Sequence, residues 1–230
     1  MCAPVPELTS YSLDGGVATI AMDDGKVNAL SPSMLVELMA AFDRAEKDSA
    51  VVVLTGRAST FSAGFDLRVP AEQWPEMITA GARLAERIMS FPRPVVAACN
   101  GNAIAMGAFV LLSCDYRLGV TGEHRIGLNE VAIGMTLPWF GIAIARHRLT
   151  RPYFDRCAIT GAVLGSEEAM RAGFLDELVA RETLSGAARR AADALAEINT
   201  DAHAATKLRI RADAIAGIRD GIERIGRGDP

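Results

Sequence analysis

The sequence predicts a mixed α/β fold, on the strength of its composition and of the order of its local patterns. Half of its 230 residues are apolar and only 6% are aromatic, which favours a packed α/β interior over a β-sandwich. Short continuous apolar stretches, typical of buried strands, alternate with longer stretches that have one apolar helical face. A chain of this length forms one large domain, or one domain with an appendage.

Charge and cysteine content exclude several classes of function. The net charge of -4 and the pI near 5.5 give no reason to expect a nucleic-acid partner or an anionic membrane surface. Cys2, Cys99, Cys114 and Cys157 lie far apart, so neither a metal site nor a disulfide framework is predicted. Residues 1–10 lack a signal-peptide pattern and no apolar run could span a bilayer, so a cytoplasmic location is expected.

The N-terminal part predicts a hairpin and then a helix. Residues 11–13 and 17–22 are strand-like and flank Asp14-Gly15-Gly16, a good turn sequence. Ser31 and Pro32 are typical of an N-cap and of a first helical position.

Strands and helices then alternate. Strands are predicted at residues 51–54, 94–99 and 116–120, and helices at 75–91, about 106–113, 142–149 and 166–172, the last closed by Gly173.

From Leu184 onward the sequence predicts helices only. Two apolar stripes are present: Leu184, Ala188, Ala191, Leu195 and Ile198, then Leu208, Ala212, Ile215, Ile218, Ile222 and Ile225. We therefore divide the chain into a core at residues 1–183 and a helical C-terminal region at 184–230 that packs against another subunit. The alternative, that these helices only cover their own core, stays open from sequence.

Two loops are candidates for binding an oxygen anion. Residues 100–109 follow the strand at 94–99 and begin a helix, whose first turn has backbone N–H groups without helical partners. Residues 61–67 form a tight loop around Gly64. Either loop alone could be an ordinary turn, but two such loops that converge on one oxygen would form an oxyanion hole.

Glu130 is the candidate general base. It lies in a mostly apolar segment, where burial should raise its pKa toward neutrality. The alternative is an exposed Glu130, or one paired with Arg125 or with an arginine distant in sequence. Serine-hydrolase, Walker-type and Gly-x-Gly-x-x-Gly patterns are absent, so no nucleotide cofactor is predicted.

Four motifs that occur in order resemble the crotonase (enoyl-CoA hydratase/isomerase) superfamily. They are Lys26-Val27-Asn28-Ala29-Leu30, Phe61-Ser62-Ala63-Gly64-Phe65-Asp66-Leu67, the stretch at 100–117, and Ile126-Gly127-Leu128-Asn129-Glu130. The resemblance implies a spiral core of repeated ββα units and a homotrimer or a dimer of trimers. It also implies acyl-CoA thioester substrates of fatty-acid metabolism such as β-oxidation, with CoA entering as part of the substrate and no other cofactor.

The resemblance also implies roles for individual residues. The backbone N–H groups of Ala63 and Met106 would be the oxyanion donors, and the long Met106 side chain would crowd the acyl pocket. Lys26 and Ala29 would contact the CoA nucleotide. The pantetheine arm would run along Ala63, Gly64, Phe65, Asp66 and Leu67, and the acyl group would contact Phe109 and Trp139.

The carboxylates distinguish the possible reactions. The family's hydratases use two glutamates; here Phe109 stands at the first position and Glu130 at the second. The mitochondrial-type Δ3-Δ2-enoyl-CoA isomerases of the family also have an apolar residue at the first position and work with one glutamate. The favoured interpretation is an enoyl-CoA isomerase, with three alternatives: a hydratase that uses Glu130 alone, another thioester enolate reaction, and a non-catalytic acyl-CoA-binding protein.

Overall fold

The computed structural model describes residues 7–57 and 59–229. Its strands are β1 (Thr9–Asp14), β2 (Val17–Met22), β3 (Ala29–Leu30), β4 (Val51–Thr55), β5 (Thr60–Ser62), β6 (Gly64–Phe65), β7 (Val95–Cys99), β8 (Asn102–Ile104), β9 (Tyr116–Val120), β10 (Ile126–Gly127), β11 (Val163–Leu164) and β12 (Glu177–Val179). Its α-helices are α1 (Pro32–Lys47), α2 (Trp74–Ser90), α3 (Met106–Ser113), α4 (Trp139–Arg148), α5 (Arg151–Thr160), α6 (Ser166–Ala172), α7 (Leu184–Ala196), α8 (Thr200–Ile210) and α9 (Ala212–Gly226). The α/β class is confirmed.

The strands form two main sheets, to which a repeated ββα unit contributes its strands. The larger sheet has the order β1-β2-β4-β7-β9-β12, parallel except for the β1–β2 hairpin, and the smaller has the order β11-β10-β8-β5. In each of three successive units, one strand joins the large sheet, the next joins the small sheet, and a helix follows: β4-β5-α2, β7-β8-α3 and β9-β10-α4. The small sheet therefore gathers the loops that precede α2, α3 and α4.

Local sequence signals account for most of the element boundaries. Ser31 caps α1 by accepting a hydrogen bond from the Met34 N–H at 3.2 Å, with Pro32 in the first turn. Helix α4 begins three residues earlier than predicted, at Trp139 after Pro138, and helix α5 was not predicted because it has only one buried residue, Cys157.

The buried side chains form two clusters on the two faces of the large sheet. One cluster joins the sheet to α1, α2, α3, α4 and α9, and it contains every residue of α3 except Gly107 and Ser113. The other, smaller cluster packs α7 against the opposite face through Leu184, Ala188 and Ala192. Helix α3 is buried all round, as expected for a helix without a polar face.

The helical C-terminal region packs against the core of its own chain. Helix α9 packs on α2 and α4 through Ile215, Ile218 and Ile225, and α7 covers the sheet. The second predicted stripe was wrong at its start, because the helix is broken at Arg211 and Leu208 is 47% exposed on α8. The division at residue 184 and a role of this region in oligomerisation stay predictions.

Candidate active site

Helix α3 begins with backbone N–H groups that have no partner in the described part of the chain. Ala105, with φ 52° and ψ −125°, turns β8 abruptly into α3. The N–H groups of Ala108 and Phe109 both donate to the Ala105 carbonyl, whereas those of Met106 and Gly107 have no acceptor among the described residues. A non-glycine residue in this conformation is strained, and such strain is concentrated at functional sites.

The loop at Gly64 approaches this helix start closely. Gly64 has φ 89°, and a Cβ atom built on it would lie 2.9 Å from the Ile104 carbonyl oxygen and 3.3 Å from the Met106 nitrogen. The Ser62 hydroxyl fixes the turn, because it donates to the Asn28 carbonyl at 2.7 Å and accepts from the Gly64 N–H at 3.2 Å. Only glycine fits at residue 64, and the two predicted loops do converge.

The structure corrects the assignment of Ala63 as an oxyanion donor. Its N–H already donates to the Val27 carbonyl at 3.0 Å, so it is not available to a ligand. Asp66 donates its N–H to the Leu30 carbonyl at 3.4 Å, on the β3 side of the loop. The positive φ of Gly64 interrupts the strand between Ala63 and Phe65. From Gly64 onward, successive N–H groups point to opposite sides, so the Phe65 N–H, directly before that of Asp66, points away from β3.

A cavity of about 440 Å³ adjoins this pair of loops. Its lining is mainly apolar and comes from the loop at residue 65, the start of α2, α3, the segment at 130–138 and the C-terminal end: Phe65, Ala71, Trp74, Pro75, Ile78, Phe109, Glu130, Met135, Thr136, Pro138, Ile225 and Gly228. Glu130 is the single ionisable side chain among these lining residues. A cavity of this size and character suits a small, largely apolar ligand group.

Glu130 is buried and has no charged partner in the described structure. It is 6% exposed, forms no ion pair there, and its Oε2 has no hydrogen-bond partner. Burial raises the pKa of this carboxyl from its ordinary value near 4.5 to about 7, although a hydrogen bond from its own backbone N–H acts in the opposite direction. The alternatives of an exposed Glu130 or a pair with Arg125 are therefore wrong. A carboxyl group with this pKa can accept and return a proton near neutral pH.

Phe109 lines the cavity from the first turn of α3. Its ring packs edge-to-face on Phe140, with the ring centroids 5.7 Å apart. The ring also lies directly against Gly141 of α4, where a Cβ atom would come within 2.5 Å of it. Phe140 is fully buried, so it belongs to the core and supports Phe109 from behind.

Two predicted binding side chains lie outside the cavity lining. Met106 is fully buried, but its methyl group lies against Gly81 of α2, so the expected crowding of the pocket does not occur. Trp139 is 42% exposed and does not line the cavity, because its indole faces Arg224 and Asp229 near the C-terminal end.

The remaining predicted CoA-binding residues lie on β3, β6 and their flanking loops, and they range from the exposed Lys26 to the buried Gly64. β3 pairs in parallel with β6 and places Ala29 beside Gly64. Lys26 and Leu67 are exposed, and an ion pair with Arg68 at 2.8 Å lowers the pKa of Asp66, with Lys26 adding to the same effect. This surface is continuous with the loop that carries the Phe65 N–H.

Sequence reasoning missed the lining residues from α2 and α9. Trp74 and Ile78 lie one turn apart on α2, and Ile225 belongs to an apolar stripe on α9. Helical residues that pack in an ordinary core show the same spacing, so the sequence does not separate cavity lining from core. No pattern distinguished them. Within the described ranges, no group of three or more His, Cys, Asp or Glu side chains could hold a metal ion, and Cys99, Cys114 and Cys157 are buried free thiols; Cys2 lies outside these ranges.

Comparison with known proteins places this geometry in a family. The model of the Enoyl-CoA hydratase/isomerase family matches residues 12–218. The chain belongs to this family. The fold is accordingly the crotonase fold, as the four motifs indicated, and the family acts on acyl-CoA thioesters.

Relatives of this family member carry both activities in their names. It is 35% identical over 226 residues to a Thermus thermophilus protein named "Putative enoyl-CoA hydratase", covering 90% of this chain and 85% of that one. It is 30% identical over 205 residues to human "Enoyl-CoA delta isomerase 1, mitochondrial", covering 85% and 68%. A Mycobacterium tuberculosis protein is called an enoyl-CoA isomerase in one solved structure and a probable enoyl-CoA hydratase in another. Both structures superpose with a TM-score of 0.93, at 44% and 43% identity, and cover 96% of this chain and 98% and 96% of those chains.

In the described part of the chain no helix combines the length and the apolar character of a membrane span.

Proposed function

We propose that this family member is an enoyl-CoA isomerase that moves the double bond of a 3-enoyl-CoA to the 2-position. The supporting observation is a single buried carboxyl, Glu130, that shares its cavity with Phe109 and no second ionisable group among the lining residues. A two-carboxylate hydration needs a second group to hold and activate water, and the Phe109 ring can do neither.

The proposed mechanism consists of two proton transfers by one group. Ionised Glu130 removes a proton from C2 of the bound 3-enoyl thioester, and the electron pair moves onto the thioester oxygen. The N–H groups of Phe65 and Met106 hold this oxyanion. Protonated Glu130 then returns the proton to C4, which completes the shift and regenerates the carboxylate.

Each step has support in the site. A pKa of about 7 lets Glu130 exchange a proton in both directions at neutral pH. The apolar lining excludes water from the dienolate. Only protons move, so the proposed reaction needs no metal or redox cofactor, and CoA enters with the substrate through the surface of Lys26, Ala29 and residues 63–67. A homotrimer or dimer of trimers, a cytoplasmic location and a role in β-oxidation stay predictions.

The test compares two substrates. The purified protein is incubated with a 3-enoyl-CoA and, separately, with a 2-enoyl-CoA in water, and the products are identified by mass and by ultraviolet absorbance. We expect double-bond migration with the first substrate and no water addition with the second. Hydration of the 2-enoyl-CoA would favour the hydratase named among the relatives, and tight CoA binding with neither reaction would favour a binding protein.

A further inference from the structure

The end of the chain forms part of the cavity that contains Glu130. Ile225, in the last turn of α9, and Gly228 both line this cavity. We call residues 225–229 the C-terminal wall. The other lining residues come from the segments at 65–78, 109 and 130–138, so the wall is the single contribution of the helical C-terminal region among them.

Three side chains hold the part of the C-terminal wall beyond Ile225, whereas Ile225 itself is buried in the core cluster. The Trp139 indole N–H donates to the Asp229 carboxylate at 3.2 Å, and the Arg224 guanidinium lies 4.5 Å above the centre of the Trp139 ring. Arg224 also contacts Asp229 at 3.4 Å. We call Trp139, Arg224 and Asp229 the latch. It joins the wall to the start of α4, next to the lining residue Pro138.

The latch differs from the other supports of the cavity in its exposure. Trp139 is 42% exposed, and the side chains of Arg224 and Asp229 are 38% and 61% exposed. Contacts between exposed groups compete with water, so each one is weak. Phe109, in contrast, is fixed in the core by Phe140 and Gly141. The part of the wall beyond Ile225 is therefore held by contacts that a single surface substitution can release without opening the core.

We propose that the latch sets the longest acyl chain that the cavity accepts, by holding the C-terminal wall against it. The inference rests on the proposed function, because it takes this cavity as the acyl site. Trp139 is then a positioning residue that determines specificity without touching the substrate. Releasing the wall enlarges the cavity on one side, so longer chains bury additional methylene groups, each adding about fourfold to affinity.

The experiment measures binding of unreactive S-alkyl-CoA thioethers, with alkyl chains of four to sixteen carbons, by isothermal titration calorimetry. The variants are Trp139→Ala and Arg224→Gln in the full chain, with Trp139→Phe keeping a ring for Arg224. The matched control is Arg44→Gln on α1, since the Arg44 guanidinium likewise lies 4.0 Å from the centre of an aromatic ring, that of Tyr11, and pairs with Asp48 at 3.9 Å, away from the residues that line the cavity.

We expect Trp139→Ala and Arg224→Gln to raise the affinity ratio of the longest to the shortest ligand at least about tenfold. Arg44→Gln should leave this ratio unchanged, and Trp139→Phe should lie in between. The matching enoyl-CoA substrates should show the change in KM, with kcat for the shortest substrate retained. An unchanged ratio, or an equal loss of affinity for all lengths, would overturn the inference even if isomerisation is intact. A changed ratio in a protein without isomerase activity would instead overturn the proposed reaction and support the latch.

Discussion

The two ends of helix α3 differ in whether the rest of the chain supplies hydrogen-bond partners for their free backbone groups. At its N-terminal end, the N–H groups of Met106 and Gly107 have no acceptor among the described residues and face the loop at Gly64. At its C-terminal end, buried cations bind the last carbonyl groups: Arg148 donates to those of Leu112 and Cys114, and Arg211 donates to those of Ser113 and Cys114.

One of these cations, Arg211, is itself paired, and it shares its partner Asp115 with Lys207. Asp115 accepts from Lys207 at 2.7 Å and from Arg211 at 2.8 Å, and burial lowers the pKa of Lys207 to about 8. Positive charge near the carbonyl end of a helix is favourable. The comparison teaches that one end of α3 contributes stability, while the other keeps donors open for a ligand. Substitutions at the two ends should therefore separate activity from stability.

The largest expected effect belongs to Glu130→Gln, which lies at the donor end. The amide cannot transfer a proton, so isomerase kcat should fall about 10²–10⁴-fold, equivalent to about 3–5 kcal/mol in the barrier. The free energy of unfolding at pH 7 should not decrease, because a buried carboxyl without a partner is replaced by a neutral group. Steady-state kinetics and urea denaturation measure the two quantities. Glu123→Gln, at an exposed glutamate, is the control, and near-normal kcat in Glu130→Gln would remove Glu130 from catalysis.

Arg211→Met should show the converse behaviour at the carbonyl end. It removes a buried partner of Asp115 and a donor to the α3 carbonyls, so the free energy of unfolding should fall by about 3 kcal/mol. At a temperature where the variant is folded, the acid limb of its pH–rate profile should match that of the unmodified protein. Urea denaturation measures the free energy of unfolding, and the matched control is Arg209→Met, on the exposed face of α8. A loss confined to kcat would contradict the division between the two ends.

The pH dependence of stability tests the raised pKa of Glu130. The carboxyl titrates near 4.5 in the unfolded chain and at about 7 in the folded one, so between these values the folded state binds the extra proton. The stabilisation is complete below pH 4.5 and is lost as the pH rises through 7, by about 3 kcal/mol relative to Glu130→Gln. Urea denaturation of both proteins from pH 4.5 to 8 measures this difference. In kinetics, kcat/KM should rise with pH to a plateau above about 7, since the base must be ionised. If the free energies of unfolding of the two proteins change in parallel with pH, the pKa of Glu130 in the folded state is an ordinary one.

The smallest expected effect is at Ala105, the strained residue before α3. Ala105→Gly relieves the strain of a backbone conformation that favours glycine. Because the strain relieved exceeds the stability lost through the added entropy of the unfolded chain, the free energy of unfolding should rise by about 1 kcal/mol. Thermal denaturation measures the stability. If strain helps to aim the Met106 N–H, KM for the thioester should rise in the same variant. Lower stability would indicate that the Ala105 methyl group, which lies near Gly64, contributes more by packing than the strain costs.

The sequence by itself determined the α/β class, most element boundaries and the two loops, and it offered Glu130 as a candidate base. These depend on local properties: the periodicity of apolar residues, capping by Ser31, and glycine at a position where a side chain does not fit. The order of four motifs along the chain was enough to indicate the family. The role of Phe109 followed only from that resemblance, and the burial of Glu130 stayed open, because apolar neighbours in sequence did not exclude an exposed carboxyl or one paired with an arginine.

Only the tertiary structure decided which N–H groups are open, because that depends on acceptors distant in sequence. Ala63 was wrong as a donor since the Val27 carbonyl occupies its N–H, and no local pattern contains that contact. The same holds for Trp139, whose partners Arg224 and Asp229 lie about ninety residues away at the end of the chain. The direction of a side chain and the walls of a cavity depend on packing between segments that are remote in sequence. Local sequence patterns contain no information on that packing.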